Sequence, residues 1–319
     1  MFLDNQGVSV VCTTFNDENE IQLLLDDLIV QTVLPNQLVV ADGGSKDNTV
    51  NIVKEFQKIS PFPIVVLSGS RLNISQGLNA AIKESIFEFI AIVGTGNRYE
   101  PDYIEKLKNR ILSSNADVVF PPIRGRNDID FCKLYCDAFL NGNDGNRIPS
   151  NHGGIIRREV FKKYGLFYTE FIYAGEDAEF YNRLKANDCK IVCAEDARLK
   201  WDVPHNINQL NKQFKNYMIA SLQMEDCRSL FRHYKRQFRI ILAFILAIIF
   251  FVFFPFYIGV IELILTLIYL IKPKLNLTWS EYYLREYKMW YQLFMIIKYR
   301  RYNAIEYRVN LSNLEYLLR

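Results

Sequence analysis

The chain has 319 residues, half of them apolar or aromatic, and carries a formal net charge of +3. That length exceeds the needs of one small domain and that apolar content fills a core, so two structural parts are expected, while so mild a charge makes no case for a nucleic-acid partner. The six cysteines are scattered, Cys132 with Cys136 and Cys189 with Cys193 lack zinc-ribbon spacing, and only three histidines accompany them, which argues against a metal held through sulfur.

In chain order, the start "MFLDNQGVSVVCTTF" has neither a basic opening nor a cleavage site, so the N-terminal part is expected in the cytosol with reduced thiols. "VSVVCT" (8–13) reads as a buried strand, and "NDENEIQLLLDDLIVQT" (16–32) as a helix with acids in its first turn and an apolar stripe through Ile21, Leu24 and Leu25. "LPNQ" breaks that helix. "QLVVA" (37–41), "FPIVVLS" (62–68) and "EFIAIVG" (88–94) are further strands, separated by helices over "KDNTVNIVKEFQKI" (46–59) and "GLNAAIKESI" (77–86). "EPDYIEKLKNRILSS" (100–114) is a helix with Pro101 near its start, where a missing N–H costs little, and "ADVVFPP" (116–122) is a strand. Strands alternating with helices of this size imply right-handed crossovers and a mostly parallel sheet, with ligands at the carboxyl ends of the strands. Asp42 and Gly94 stand at such ends.

From about residue 124 to 160 the pattern loosens, and "NGNDGNRIPSNHGG" (141–154) reads as a long polar loop. "RREVFKKYG" (157–165) and "GEDAEFYNRLKAN" (175–187) read as helices, and "KIVCA" (190–194) as an edge strand. Residues 240–271 are then almost wholly apolar, with Glu262 the one charge and Pro255 in the middle. That run exceeds one span of about 20 residues and falls short of two. Arg228, Arg232, Lys235, Arg236 and Arg239 precede it, and Lys272, Lys274, Arg285 and Lys288 follow, which favours both ends on the cytosolic side. It reads as a helical hairpin bent at Pro255; one long tilted span and a buried core hairpin are the alternatives. The tail, rich in tyrosine, tryptophan and basic residues, suits either a lipid headgroup layer or an ordinary helix packed on the N-terminal domain. The expected division is 1–225 and 226–319.

"ADGGSKDNTV" (41–50) concentrates the chemistry of the first half. Asp42 at the sheet rim offers a carboxylate to a base or ribose, Gly43 and Gly44 permit a sharp turn and close approach, and Ser45 and Asp47 suit the cap of the next helix. A plain strand–turn–helix corner uses the same residues. The surroundings add to it: "TFND" at 14–17, Gln31, Pro35 and "DGGSKDNT" at 42–49 together resemble the opening of the inverting glycosyltransferase family 2. The resemblance runs over roughly residues 6–220. It implies the α/β GT-A fold, a Rossmann-like mixed, mostly parallel sheet flanked by helices, here followed by a membrane-associated helical region. It also implies that Thr14, Asn16 and Asp17 line the nucleotide pocket, that Asp42 contacts the base, and that Gly43 and Asn97 belong to the donor site.

"GEDAEFYNRL" (175–184) looks like the acidic segment of that family, which implies Asp177 as the general base that takes a proton from the acceptor hydroxyl. Glu176 and Glu179 beside it raise its affinity for that proton; a helix start decorated with acids is the bland alternative. The fourth strand departs from the family pattern. Where Asp-x-Asp would bind Mn²⁺ or Mg²⁺, this chain has Gly94, Thr95, Gly96 and Asn97. A hard cation prefers charged oxygen ligands, so a divalent cation is in question: either Asn97 and the diphosphate carry it, or Arg98 neutralises the leaving group instead. Gln213 with Tyr217 resembles the family's closing element, with Asn216 in place of its arginine, which speaks against a processive synthase. Asn151 and His152 would face the acceptor beside Glu176, and His205 reads as either a diphosphate contact or a surface-loop histidine.

The resulting expectation is a hexosyltransferase-like enzyme that moves sugar from a nucleotide-sugar to a hydroxyl of a lipid-linked or saccharide acceptor. It would serve cell-envelope polysaccharide or glycolipid synthesis at the cytoplasmic face of a bacterial inner membrane. Transfer onto a polyprenyl phosphate, and a non-catalytic nucleotide-sugar-binding or scaffold protein of an envelope assembly complex, are the competing readings. A dinucleotide-dependent oxidoreductase is disfavoured because "TTFNDENE" after the first strand has no Gly-x-Gly-x-x-Gly.

Overall fold

The computed structural model describes residues 6–126, 129–140, 145–171, 173–224, 234–253, 260–261, 264 and 278–299. The first half is a run of crossovers: β1 (Val8–Thr14), α1 (Glu18–Ile29), β2 (Gln37–Asp42), α2 (Thr49–Gln57), β3 (Ile64–Leu67), α3 (Ile74–Glu84) and β4 (Phe89–Gly94). Then come β5 (Asn97–Tyr99), α4 (Tyr103–Ser114), β6 (Val118–Phe120), β7 (Ile123–Gly125), α5 (Asp130–Phe139), β8 (Gly153–Arg157), α6 (Arg158–Tyr164) and α7 (Glu176–Ala186). The chain continues through β9 (Ile191–Cys193), β10 (Leu199–Trp201), α8 (Ile207–Met224), α9 (Lys235–Phe253) and α10 (Trp279–Tyr299).

Seven strands form one sheet in the order β3-β2-β1-β4-β8-β6-β9, and β5, β10 and β7 form a small second sheet. β1 to β4 are mutually parallel, whereas β8 runs antiparallel between β4 and β6. The mixed, parallel-dominated sheet flanked by helices is thus as the sequence implied, with β9 at an edge. Apolar side chains cover both faces, as a parallel sheet requires. One face packs on α1, α2 and α4, the other on α3, α6 and α7. α1 shows why: Ile21, Leu24, Leu25 and Leu28 recur at helical spacing and are all buried, worth about 1.5–3 kcal/mol each. Gln31 closes that helix onto α4, donating to Asp27 O and Glu100 O and accepting from Ile104 N at 2.9–3.0 Å, so this part of the motif is architectural.

The region read as loose, 124–160, contains α5 and β8. β8 opens on Gly153 and Gly154 and has only Ile155 and Ile156 as apolar residues, so neither alternation nor a continuous apolar run announces it. β5, β7 and β10 have three residues each, too few for any period to register. The segment after "WDVPHN" is a full helix, α8.

The C-terminal helices pack on this body in part. Leu284 of α10 joins a cluster with Cys132, Tyr135 and Phe214, Arg285 Nε donates to Ala138 O at 2.6 Å, and the Lys288 ammonium lies 5.1 Å from the Phe139 ring centre. Among the described residues no helix is long and apolar enough to cross a membrane. α9 covers the start of the apolar run, and the expected bend at Pro255 lies outside the described residues, as do Arg228, Arg232, Glu262, Lys272 and Lys274.

Candidate active site

A cavity of about 590 Å³ opens where β1, β2 and β4 end. One wall is built by Thr13, Thr14, Phe15, Asp17, Gly43 and the start of α3; the other by Asn151, His152, Glu176, Asp177, Trp201, Asp202 and Tyr217. Gly94 to Asn97 form its floor between them.

The glycine corner is folded by its own acid. Asp42 is buried, and its carboxylate accepts from Gly44 N at 3.1 Å and Ser45 N at 3.1–3.2 Å. Gly44 has φ +93°, a conformation that costs glycine nothing. Asn16 stitches the neighbouring loop to this corner: it accepts from Lys46 N at 2.9 Å and donates its own N–H to Ser45 Oγ at 2.8 Å. Asp42 and Asn16 therefore shape the rim without lining the cavity, while Ala41 and Gly43 on either side of Asp42 do line it. Asp17 takes the central place. It accepts from Thr95 Oγ1 at 2.9 Å and from Thr14 Oγ1 and Phe15 N at 3.3 Å, joining the end of β1 to the end of β4.

At the end of β4 the space for a side chain is already taken. A Cβ on Gly94 would lie 2.9 Å from Asn97 Nδ2. That amide donates to Tyr99 OH at 3.1 Å and His152 O at 2.7 Å, and Tyr99 OH accepts from Gly94 N and donates to His152 O at 2.8 Å. Gly94→Asp alone displaces Asn97 from these bonds, whereas Asn97→Ala opens the room. A urea-unfolding double-mutant cycle on Gly94→Asp and Asn97→Ala is expected to show positive coupling of about 0.5–3 kcal/mol; simple additivity would mean that the two positions do not compete for one volume.

The acidic wall is set by α7. Glu176 is buried and accepts from Asn151 Nδ2 at 3.4 Å. Burial and then the neighbouring Asp177 charge push the Glu176 carboxyl up to about 7. Burial also raises Asp177, against the N–H groups of Ala178 and Asn151 that favour its ionised form. The helix is locked from behind by Arg183, which meets Glu179 at 2.8 and 3.0 Å, donates to Leu166 O at 2.8 Å and to Tyr164 O. On the same wall the His152 ring packs at a tilt on Trp201, with ring centres 4.4 Å apart, and burial lowers its pKa to about 4, so it is neutral near pH 7. Tyr217 is held from α8, where Gln213 donates to its hydroxyl at 3.3 Å while accepting from Tyr135 OH at 3.1 Å. Gln213 thus positions Tyr217 from outside the cavity. His205 Nε2 lies 2.9 Å from Asp202 Oδ1, at the exposed rim.

These shifts have opposite consequences for stability. From pH 4.5, the ordinary value, to about 7 the folded chain keeps a Glu176 proton that the unfolded chain has lost, so this group makes the fold less stable as pH rises. From about 4 to the ordinary 6.5 the unfolded chain holds a His152 proton that the folded chain refuses, so this group makes the fold more stable as pH rises. Relative to wild type, Glu176→Gln is expected to steepen the rise of Tm with pH and His152→Phe to turn it downward. A Tm series between about pH 5 and pH 8 checks this; difference slopes of one sign would overturn the protonation states.

Residues 9–165 match the family model described as glycosyl transferase family 2. The chain carries a glycosyl transferase family 2 domain. Succinoglycan biosynthesis protein ExoA of Rhizobium meliloti is 26% identical over 189 residues, 55% of this chain and 57% of that protein. Chondroitin synthase of Pasteurella multocida is 25% identical over 229 residues, 58% of this chain and 23% of that protein. The glycosyltransferase GlyA of Streptococcus pneumoniae is matched over only 17% of its length, so the chain spans at most a little over half of these relatives. Two solved structures share the fold. S. aureus TarS 1-349 in complex with UDP-GlcNAc gives a TM-score of 0.52 at 20% identity, covering 67% of this chain and 64% of that one. The mannosyltransferase PcManGT from Pyrobaculum calidifontis, with GDP-Man and Mn²⁺, gives 0.54 at 17% identity, covering 68% and 62%. The family 2 match ends before α7, so Asp177 and Tyr217 stand on the geometry above and on the acidic segment itself.

Of the residues the sequence singled out, Thr14, Asp17, Gly43, Asn97, Asn151, His152, Glu176, Asp177 and Tyr217 meet in this cavity. Phe15, Leu72, Asn73, Trp201 and Asp202 also line it and were missed. Trp201 ends, and Asp202 follows, a three-residue strand that sequence reading passes over. Leu72 and Asn73 follow β3 at a carboxyl end, the one signal that pointed to them. Among the described residues no group of three His, Cys, Asp or Glu is placed to hold a cation by itself, and at the floor the buried side-chain oxygen Asn97 Oδ1 is neutral and without a hydrogen-bond partner. The Arg98 guanidinium binds Glu20 and the carbonyls of Thr95 and Asn97, and among the described residues that line the cavity there is neither lysine nor arginine.

Proposed function

We propose that this protein is an inverting glycosyltransferase that moves a sugar from a nucleotide-sugar to a hydroxyl of a lipid-linked or saccharide acceptor. The observation that carries this reading is one cavity in which the rim made by Thr14, Asp17 and Gly43 faces Asp177, a half-buried acid with a raised proton affinity. The donor lies along that rim, with its anomeric carbon toward α7. An acceptor hydroxyl entering past Asn151, His152 and Tyr217 gives its proton to Asp177. Its oxygen bonds to the anomeric carbon as the bond to the nucleoside diphosphate breaks on the opposite side, which inverts that centre. His152, neutral and packed against Trp201, orients the acceptor through its ring.

Polysaccharide or glycolipid synthesis is the setting that the names of the relatives support, ExoA and chondroitin synthase among them. The apolar run with basic flanks supports attachment of the enzyme at the cytoplasmic face of a bacterial membrane. Gly94 favours a second reading, a nucleotide-sugar-binding protein without turnover. A thermal-shift panel of UDP- and GDP-sugars, with and without Mn²⁺, followed by donor-consumption assays, separates them. Stabilisation with turnover supports the enzyme, stabilisation without turnover the binding protein, and no stabilisation by any nucleotide-sugar overturns both.

A further inference from the structure

Among the described residues, the two C-terminal helices carry exposed apolar surface. α10 turns Tyr282, Leu284, Leu293, Met295 and Ile296 inward. On its other side Tyr283, Tyr287, Trp290, Phe294 and Ile297 are 57, 37, 36, 59 and 57% exposed. Their spacing of alternately four and three residues puts all five on one stripe. Five large side chains in line exceed the scattered apolar residues of an ordinary wet surface.

α9 continues that surface. Its first turns bury Ile240 and lie behind Tyr234, which packs with Leu293, Met295 and Ile296 of α10. Beyond them Ile241, Leu242, Phe244, Ile245 and Leu246 are exposed. Three consecutive positions, 244 to 246, sweep about 200° of a helix, more than half of its girth. Lys235, Arg239 and Lys298 are exposed on the same two helices. One flat groove on a partner protein would cover the α10 stripe but leave much of α9 wet. A lipid surface covers both, takes tyrosine and tryptophan at the headgroup level, and attracts the three cations when it is anionic.

We infer that the outward stripe of α10 seats in the interfacial layer of an anionic lipid bilayer, with α9 pressed in beside it and neither helix crossing. This rests on the membrane attachment proposed above and names the surface that makes it. α8 then connects the bilayer to the chemistry, since Met218 and Leu222 pack against α10 while Tyr217 lines the cavity. A lipid-borne acceptor approaches along that side.

The test uses the full chain with vesicles of phosphatidylcholine alone or mixed with phosphatidylglycerol. Wild type is expected to float with the mixed vesicles, and brominated lipids to quench tryptophan emission through Trp290, an effect lost in Trp290→Phe. Tyr287→Ser/Trp290→Ser/Phe294→Ser is expected to lose flotation, and Lys235→Gln and Lys298→Gln to weaken it about fivefold each. If this triple variant floats like wild type while Leu242→Ser/Ile245→Ser does not, the stripe assignment fails and membrane attachment stands. If wild type binds neither vesicle, both fail. If wild type is instead a dimer that the triple variant dissociates, a second copy of the chain is the occupant and the inference is overturned.

Discussion

Asp177→Asn is expected to lower kcat/KM for transfer to a hydroxyl acceptor by about 10²–10⁴-fold, the usual contribution of a positioned general base. The expectation rests on where the carboxylate sits. It lines the cavity opposite the donor rim, and α7 fixes it by the N–H of Ala178 at 2.7 Å. Asparagine keeps the shape and the hydrogen-bonding atoms but accepts no proton, so donor binding, read as a Tm rise with the nucleotide-sugar, is expected to persist. A variant with full transfer to a hydroxyl acceptor would remove Asp177 from the mechanism. Activity kept only with a polyprenyl phosphate would point to an acceptor that is already an anion and needs no base. Loss of both transfer and donor-induced stabilisation would mean that the substitution damages the cavity as a whole; Asp177→Ala, which deletes the same atoms without adding an amide, then decides between shape and charge.

Arg183→Ala carries the largest expected effect on stability, about 3–5 kcal/mol by urea unfolding. Arg183 and Glu179 are both buried, and the guanidinium satisfies the carboxylate and two loop carbonyls at once. Removing it strands an ionised carboxylate that is 3% exposed, whereas replacing both partners, Glu179→Met with Arg183→Met, leaves no charge behind and is expected to cost far less. A double variant as unstable as Arg183→Ala would show that the loop carbonyls, not the stranded charge, dominate. Because this pair pins the middle of α7, the single variant should also depress kcat more than donor affinity at temperatures where it remains folded.

The crossover half of the molecule was legible because each strand and helix from Val8 to Gly94 is long enough to show its period. The glycine corner was legible as a corner, but its inner logic was not: an acid at a strand end looks like a ligand contact, and only the coordinates show Asp42 spent on the N–H groups of Gly44 and Ser45. Asp177 was visible from its neighbours in "GEDAEFYNRL". What faces it was harder. Trp201 closes a strand of three residues with Asp202 just beyond it, and His152 precedes a strand that begins with two glycines. Their positions follow from tertiary pairing, which no local pattern encodes.

The reversed strand in the middle of the sheet has one more effect. Val93 of β4 pairs with Gly153 at the beginning of β8, so the polypeptide enters the sheet, rather than leaving it, at the edge where the other strands end. The Asn151–His152 part of one cavity wall is therefore hung from the upstream connection to β8, while Thr14, Asp17, Gly43 and the Gly94–Asn97 floor follow the ends of β1, β2 and β4. Length or sequence changes between α5 and β8 can thus reshape the Asn151–His152 side of the cavity while the wall built after β1 and β2 keeps its register.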